Sequence, residues 1–212
     1  MPPAASRPAA PGALRVENIA SSPHFKPLRS LVGVAHDLRY AGSNNFAGAS
    51  LYGELDCAWL RVEAADGLER AAQWLHSQQT GWRILVLDAL RPQRVQEAIW
   101  QGVVGTPAQH YFAHPATGSI HSWGLAVDAT LLDTQGAEVD MGSGFDEMHE
   151  RSHPELHPQL LASGALQPLH VQRRELLLAA MQHGGFQGIT NEWWHFDHGD
   201  RQQVRRTLQR VD

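Results

Sequence analysis

Between Ala64 and Gln78 the apolar residues Leu68, Ala71, Ala72 and Leu75 recur at steps of three and four, which lays one apolar stripe along a helix. Trp82 to Leu87 is a short apolar run with β-branched members and reads as a buried strand. Asp88-Ala89-Leu90-Arg91 leads out of it. Pro92 then fits the first turn of a second helix, where its missing N–H costs nothing, and Val95, Ala98 and Ile99 form that helix's inner face. From Gly124 to Leu132 the period changes to two. Leu125, Val127, Ala129 and Leu131 share one face; Gly124, Ala126, Asp128 and Thr130 share the other. Val171 to Gln182 returns to helical spacing and is stopped by Gly184 and Gly185. Trp193 to Phe196 is short and aromatic-rich, which suits a strand. Asp37 to Tyr52, with Gly42, Ser43, Asn44, Asn45 and Gly48, reads as a loop. Helices and strands do not alternate regularly, so the expectation is an α+β fold, a single domain with a mostly antiparallel central sheet flanked by helices.

Composition narrows the class. The 212 residues suffice for one sizeable core, and 42% hydrophobic with 18% charged residues is a globular balance. A net charge of -5 gives no reason to expect nucleic acid or an anionic membrane as partner. The lone cysteine, Cys57, rules out an internal disulfide and a cysteine-rich zinc site, and its apolar neighbours mark it as a buried small hydrophobe. Met1 to Leu14 is Pro/Ala-rich, lacks the apolar stretch of an ordinary signal peptide, and reads as a flexible tail before one catalytic domain over residues 15–212. No run approaches the ~20 apolar residues of a membrane span, so a soluble, cytoplasmic protein is expected. The oligomeric state is left open, a homo-oligomer included. Histidine is abundant, with 13 in the chain, which favours a metal site without locating one.

Two segments carry chemistry. In Ser119-Ile120-His121-Ser122-Trp123-Gly124-Leu125-Ala126-Val127-Asp128, the histidine precedes the alternating strand and the aspartate lies within it, on a face of small residues that leaves room above the sheet. A carboxylate projecting there needs a partner, which is a cation, an arginine or local N–H groups. In Glu192-Trp193-Trp194-His195-Phe196-Asp197, Glu192 and His195 are three apart, so a regular strand sends them to opposite faces. They serve one site only if Glu192 lies in the turn before the strand or a bulge re-aims one of them; otherwise this is an aromatic strand with a rim histidine and a solvated glutamate. Taken together, two histidines and a carboxylate leave a fourth zinc position open for water, the catalytic arrangement, and a nearby glutamate can carry the water's proton to a leaving amine.

The pattern Ser119-x-His121-x-x-Gly124-x-Ala126-x-Asp128, followed by Glu192-x-Trp194-His195, resembles the zinc D-alanyl-D-alanine peptidases. Asp88-Ala89-Leu90-Arg91-Pro92, Met141-Gly142-Ser143-Gly144-Phe145-Asp146, Arg151-Ser152-His153, Tyr40 and Asn45-Phe46-x-Gly48 resemble the D-alanyl-D-alanine dipeptidase (VanX-type) branch. The similarity runs over residues 40–195. It implies one zinc ion per chain on His121, Asp128 and His195, in a cleft over the sheet, with Glu192 as general base and acid. It also implies that Arg91 stabilises the oxyanion, that Asp146 holds the ammonium of a small dipeptide, and that Ser119 and Tyr40 help hold its ends. Leu90 stands where an aromatic is frequent and could alter the pocket wall; Ser143 stands in place of Thr.

His149-Glu150-Arg151-Ser152-His153 also spells the zincin H-E-x-x-H, but Ser152 and Pro154 weaken helix continuity there. The pairs His110/His114 and His153/His157 read as solvated loop histidines. No P-loop, Rossmann fingerprint or Gly-x-Ser-x-Gly elbow is present. Two rivals to the dipeptidase reading are a related peptidase acting on longer cell-wall peptides and a noncatalytic zinc-binding module.

Overall fold

A computed structural model of the chain describes residues 14–212. The segment read as a flexible tail thus lies outside the described residues except for Leu14, which pairs with Val211. In chain order the elements are β1 (Phe25–Pro27), β2 (Val34–His36), β3 (Trp59–Arg61), α1 (Val62–Gln78), β4 (Arg83–Asp88), α2 (Gln93–Val103), β5 (Ala126–Leu132), α3 (His157–Ala162), α4 (Pro168–His183), β6 (Phe186–Gly188), β7 (His195–His198) and α5 (Arg201–Thr207). Five strands form the central sheet in the order β2-β4-β5-β7-β6. The β2–β4 pair is parallel and the other three pairs are antiparallel, while β1 and β3 form a separate antiparallel pair. The expected α+β architecture with a mostly antiparallel sheet is the one found.

One face of the sheet is sealed by α1 and α4. Leu68, Ala71 and Leu75 of α1 and Leu177, Ala180 and Met181 of α4 share a core with Ile84 and Val86 of β4 and Val127, Ala129 and Leu131 of β5. The helical stripe and the apolar side of the strand alternation meet here, so burial rather than propensity holds both elements. The helices approach closely: a Cβ on Gly67 would stand 2.4 Å from the Gly184 carbonyl oxygen.

The opposite face carries the site. All seven residues of β5 are buried, so the small-residue face is not open along its whole length. Leu85, Leu87 and Leu132 are covered there by Phe145, and a cavity lies above Asp128. A second core holds Phe25, Tyr40, Cys57, Trp59, Leu90, Val95 and Ile99. Leu90 is fully buried in it, which removes it from the pocket wall where the sequence placed it.

Helix α2 begins at Gln93, with Pro92 as its N-cap rather than in its first turn. The chain end supplies what that helix start lacks. Gln93 N–H donates to the Val211 carbonyl (2.9 Å) and Arg94 N–H to the Asp212 carboxylate (3.1 Å). Among the described residues no helix is long and apolar enough to cross a membrane.

Candidate metal centre and active site

Sheet register brings the first two candidate ligands together. Asp128 on β5 is directly opposite His195 on β7, and Ala126 is opposite Asp197. Cross-strand partners have Cβ atoms roughly 4.5–5.5 Å apart on one face, so the carboxylate and the imidazole meet without any loop. His121 comes from a 3-10 turn, Ile120–Trp123, just ahead of β5. The turn exits through Gly124 at φ 69°, where a Cβ would lie 2.8 Å from the Phe25 ring; only glycine reverses the chain there. His121 Nε2 lies 3.2 Å from His195 Nδ1 and 3.4 Å from Asp128 Oδ1, and His195 Nδ1 lies 3.0 Å from that same oxygen.

These atoms fit a zinc ion. Ligand atoms around a tetrahedral zinc, with bonds near 2.0–2.1 Å, stand about 3.3 Å apart. The far nitrogen of each imidazole is already engaged. His121 Nδ1 is 2.7 Å from the Ala89 carbonyl, which can only accept, so Nδ1 carries the proton and Nε2 presents its lone pair. His195 Nε2 is 3.0 Å from Asp197 Oδ1, which leaves Nδ1 as the free donor. Among the described residues this is the one cluster of three or more His, Cys, Asp or Glu side chains placed to hold a metal ion.

Two supporting carboxylates had no role in the sequence reading. Asp197 accepts from His195 and is held in turn by Arg201. A signal for it existed, since positions 195 and 197 of a strand share a face. Asp88 depends on a register shift: the β4–β5 pairing breaks between Val86 and Asp88, and the bulge sets Asp88 opposite Asp128. Facing carboxylates repel, and Arg91 resolves it. Its guanidinium donates to Asp88 from Nε (2.9 Å) and Nη2 (2.6 Å), to Gln96 from Nη1 (3.1 Å), and reaches Asp128 from Nη2 (3.5 Å). Tyr52 adds a short hydroxyl contact to Asp88.

The cluster opens into a cavity of about 230 Å³ bordered also by Arg91, Tyr40, Ser119, Asp146 and Glu192. That is below the roughly 300–1,000 Å³ of typical drug-sized pockets. Every candidate site residue of the sequence therefore faces one space. Glu192 lies in the irregular segment preceding β7, the first of the two arrangements that allow it to share a site with His195. Burial pushes its carboxyl up to about 7, with the Asp128 charge adding to this and His195 opposing it. Asp146 sits at φ 57°, an uncommon conformation for a non-glycine residue. It accepts from the Tyr40 hydroxyl (3.3 Å) and the Phe46 N–H (3.3 Å), and burial, then Asp128, pushes it up to about 8. Tyr40 is 1% exposed and its ring lies beneath the Arg91 guanidinium, 4.9 Å from centroid to Cζ. Burial opposes ionisation of Asp128 as well, but His121 and His195 hold it well below the ordinary range. Burial likewise opposes the His195 imidazolium, and Asp197 and Asp128 overcome that and push it up.

A buried arginine on α4 ties the Asp146 loop to the Glu192 segment. Arg174 donates to the carbonyls of Met141 (2.8 Å) and Arg151 (2.9 Å) and to the Ser143 hydroxyl (2.9 Å), which also accepts from Trp193 Nε1 (2.9 Å). The serine that replaces threonine is thus the junction, and either hydroxyl serves it. The H-E-x-x-H match dissolves: it folds as 3-10 turns, His149 accepts from the Arg151 N–H, and His153 Nε2 pairs with the Tyr111 hydroxyl at 2.8 Å. Of the other loop histidines, His110 is exposed but borders the cavity.

Comparison with known proteins matches residues 22–211 to the family described as D-ala-D-ala dipeptidase. The chain is 41% identical over 162 residues to the D-alanyl-D-alanine dipeptidase of Escherichia coli (strain K12), covering 76% of this chain and 77% of that one. It is 34% identical over 172 residues to the protein of that name from Synechocystis sp., covering 67% and 70%. It is 32% identical over 182 residues to the one from Enterococcus faecium, covering 77% and 85%.

Proposed function

The chain belongs to the D-ala-D-ala dipeptidase family, and from that premise we propose that it is a zinc dipeptidase cleaving D-alanyl-D-alanine into free D-alanine. The observation that carries this reading is the convergence of His121 Nε2, Asp128 Oδ1 and His195 Nδ1 at ligand spacing, beside a buried Glu192, on one small cavity. Those three side chains would hold the zinc. Bound there, zinc supplies a Lewis acid that polarises the scissile carbonyl and lets water attack near neutral pH.

The chain's own groups do the rest. Glu192, with a carboxyl raised toward neutrality by burial, takes a proton from the attacking water and returns it to the leaving amine. Arg91 donates to the oxygen that gains negative charge, held in place by Asp88 and Gln96 so that it need not reorganise during the reaction. Asp146, with Tyr40 at its side, receives the substrate ammonium; the arriving cation favours the carboxylate form that burial alone disfavours. Ser119, buried at the cavity wall beside His121, helps hold the other end.

An ammonium anchor selects a dipeptide with nothing before it, which separates this reading from action on longer wall peptides. The test is an assay of zinc-loaded protein on D-alanyl-D-alanine and its N-acetyl derivative. Hydrolysis of the free dipeptide alone, lost on chelation and in Glu192→Ala, is expected. Activity that survives both treatments overturns the mechanism, and equal cleavage of the acylated substrate overturns the dipeptidase assignment. Stoichiometric zinc with no hydrolysis of any dipeptide would make the site a binding module.

A further inference from the structure

Beyond the metal cluster the cavity is bordered by α5, whose Arg201 and Arg205 are four apart and so lie on one helix face. Their environments differ. Arg201 is paired with Asp197, and its side chain is still 48% exposed. Arg205 donates from Nη2 to the Gly118 carbonyl (3.1 Å), next to Ser119, and its buried Nε has no acceptor. Both guanidinium groups thus bring positive charge to one end of the cavity, where an anionic group is favoured.

The charges around the cavity follow an order. From Asp146, contacts run to Tyr40 (3.3 Å), from the Tyr40 ring to Arg91 (4.9 Å), then to Asp128 (3.5 Å), His195 (3.0 Å), Asp197 (3.0 Å) and finally Arg201. An acidic group stands at the start of this path, the His121–Asp128–His195 cluster in its middle, and Arg201 of α5 at its end, with Arg205 one helical turn further on. A free dipeptide has the same order of groups: an ammonium, a scissile amide and a carboxylate.

Resting on the dipeptidase reading, we propose that Arg205, with Arg201 beside it, receives the free C-terminal carboxylate of the substrate and makes the enzyme selective for an unblocked C-terminus. The Arg205 guanidinium supplies a positive charge at the cavity border, and the Arg201 donors not taken by Asp197 complete a cationic receptor. Arg91 remains free for the reacting carbonyl, since its own contacts are with Asp88, Gln96 and Asp128.

The experiment compares D-alanyl-D-alanine with its C-terminal amide. In the zinc-loaded wild type the acid is expected to exceed the amide in kcat/KM by roughly 10- to 100-fold, the range for a hydrogen bond to a charged group. In Arg205→Met that ratio falls toward one, through KM rather than kcat, and Arg205→Lys restores part of it. A ratio unchanged in Arg205→Met overturns the proposal. Should that variant lose cooperative melting, Arg205→Gln, which can still donate to the Gly118 carbonyl, is read in the same way. Calorimetric titration of the acid and the amide into zinc-loaded Glu192→Ala, with and without Arg205→Met, gives the same ratio without turnover. A wild type that hydrolyses neither compound removes the dipeptidase reading. The titration then still decides the receptor, which stands only if the acid binds more tightly and Arg205→Met abolishes the difference.

Discussion

At the residue scale the site is a set of side chains whose second contacts decide what their first contacts can do. His195 can offer Nδ1 because Asp197 occupies Nε2, and Asp197 keeps its place through Arg201. Asp197→Asn should therefore weaken zinc affinity by about 10- to 100-fold, the usual range for the partner of a metal-bound histidine, measured by competition with a chromogenic chelator. Unchanged affinity would show that the ring is held by packing alone. Glu192 has the opposite character, a carboxyl raised from 4.5 to about 7 by burial in the absence of a cation. A bound cation favours its charged form, so the rising limb of kcat/KM against pH is expected between those two values. Glu192→Gln should abolish that limb and lower kcat by roughly 10²–10⁴-fold.

At the scale of elements, two junctions hold the segments around the cavity. The first is Arg174, 3% exposed on α4, whose donors fall on the Met141 and Arg151 carbonyls and on Ser143. Burial lowers the arginine to about 10, still far above neutrality, so it stays charged. Arg174→Met strands buried acceptors at about 1–3 kcal/mol each and should cost about 3 kcal/mol in urea unfolding, whereas Ser143→Thr, which keeps the hydroxyl, should be near neutral. A loss for Ser143→Thr as large as that for Arg174→Met would contradict this account. The second junction is the contact of α1 with the end of α4. Gly67→Ala places a methyl group 2.4 Å from a backbone oxygen that no rotamer change can move. The helices must part, and a loss of about 1–3 kcal/mol is expected in the same measurement.

At the scale of the whole molecule, the cavity concentrates negative charge that the fold by itself tolerates poorly. Asp146 and Glu192 titrate near 8 and 7 in the folded chain and near 4 when unfolded. Between those values the folded state holds more protons than the unfolded one, so stability falls as pH rises from about 4 to about 8. Metal-free protein should accordingly melt at lower temperature at pH 8 than at pH 5, and Asp146→Asn should flatten that slope, as scanning calorimetry can show. If the proposed zinc site forms only in the folded arrangement, adding zinc should raise the melting temperature in step with its concentration.

The elements were legible in the chain because each is dictated by a short-range period: the stripe of α1, the alternation of β5, the glycine stop after α4. The grouping of His121, Asp128 and His195 was legible too, because their spacing forms motifs, and so was the condition that Glu192 lie ahead of β7 or a bulge re-aim it. Asp88, Asp197, Arg174 and Arg205 were not. Asp88 reaches the site only through a bulge, Asp197 matters through the ring it orients, and Arg174 reads as an ordinary polar position on a helix. Arg205 comes to the cavity because the C-terminal residues dock against the turn that carries His121, with Val211 N–H on the Ser122 carbonyl at 2.7 Å. Local periodicity specifies which face of an element is apolar. Which charges then meet across that face is set by register and docking, and these depend on contacts between residues far apart in the chain.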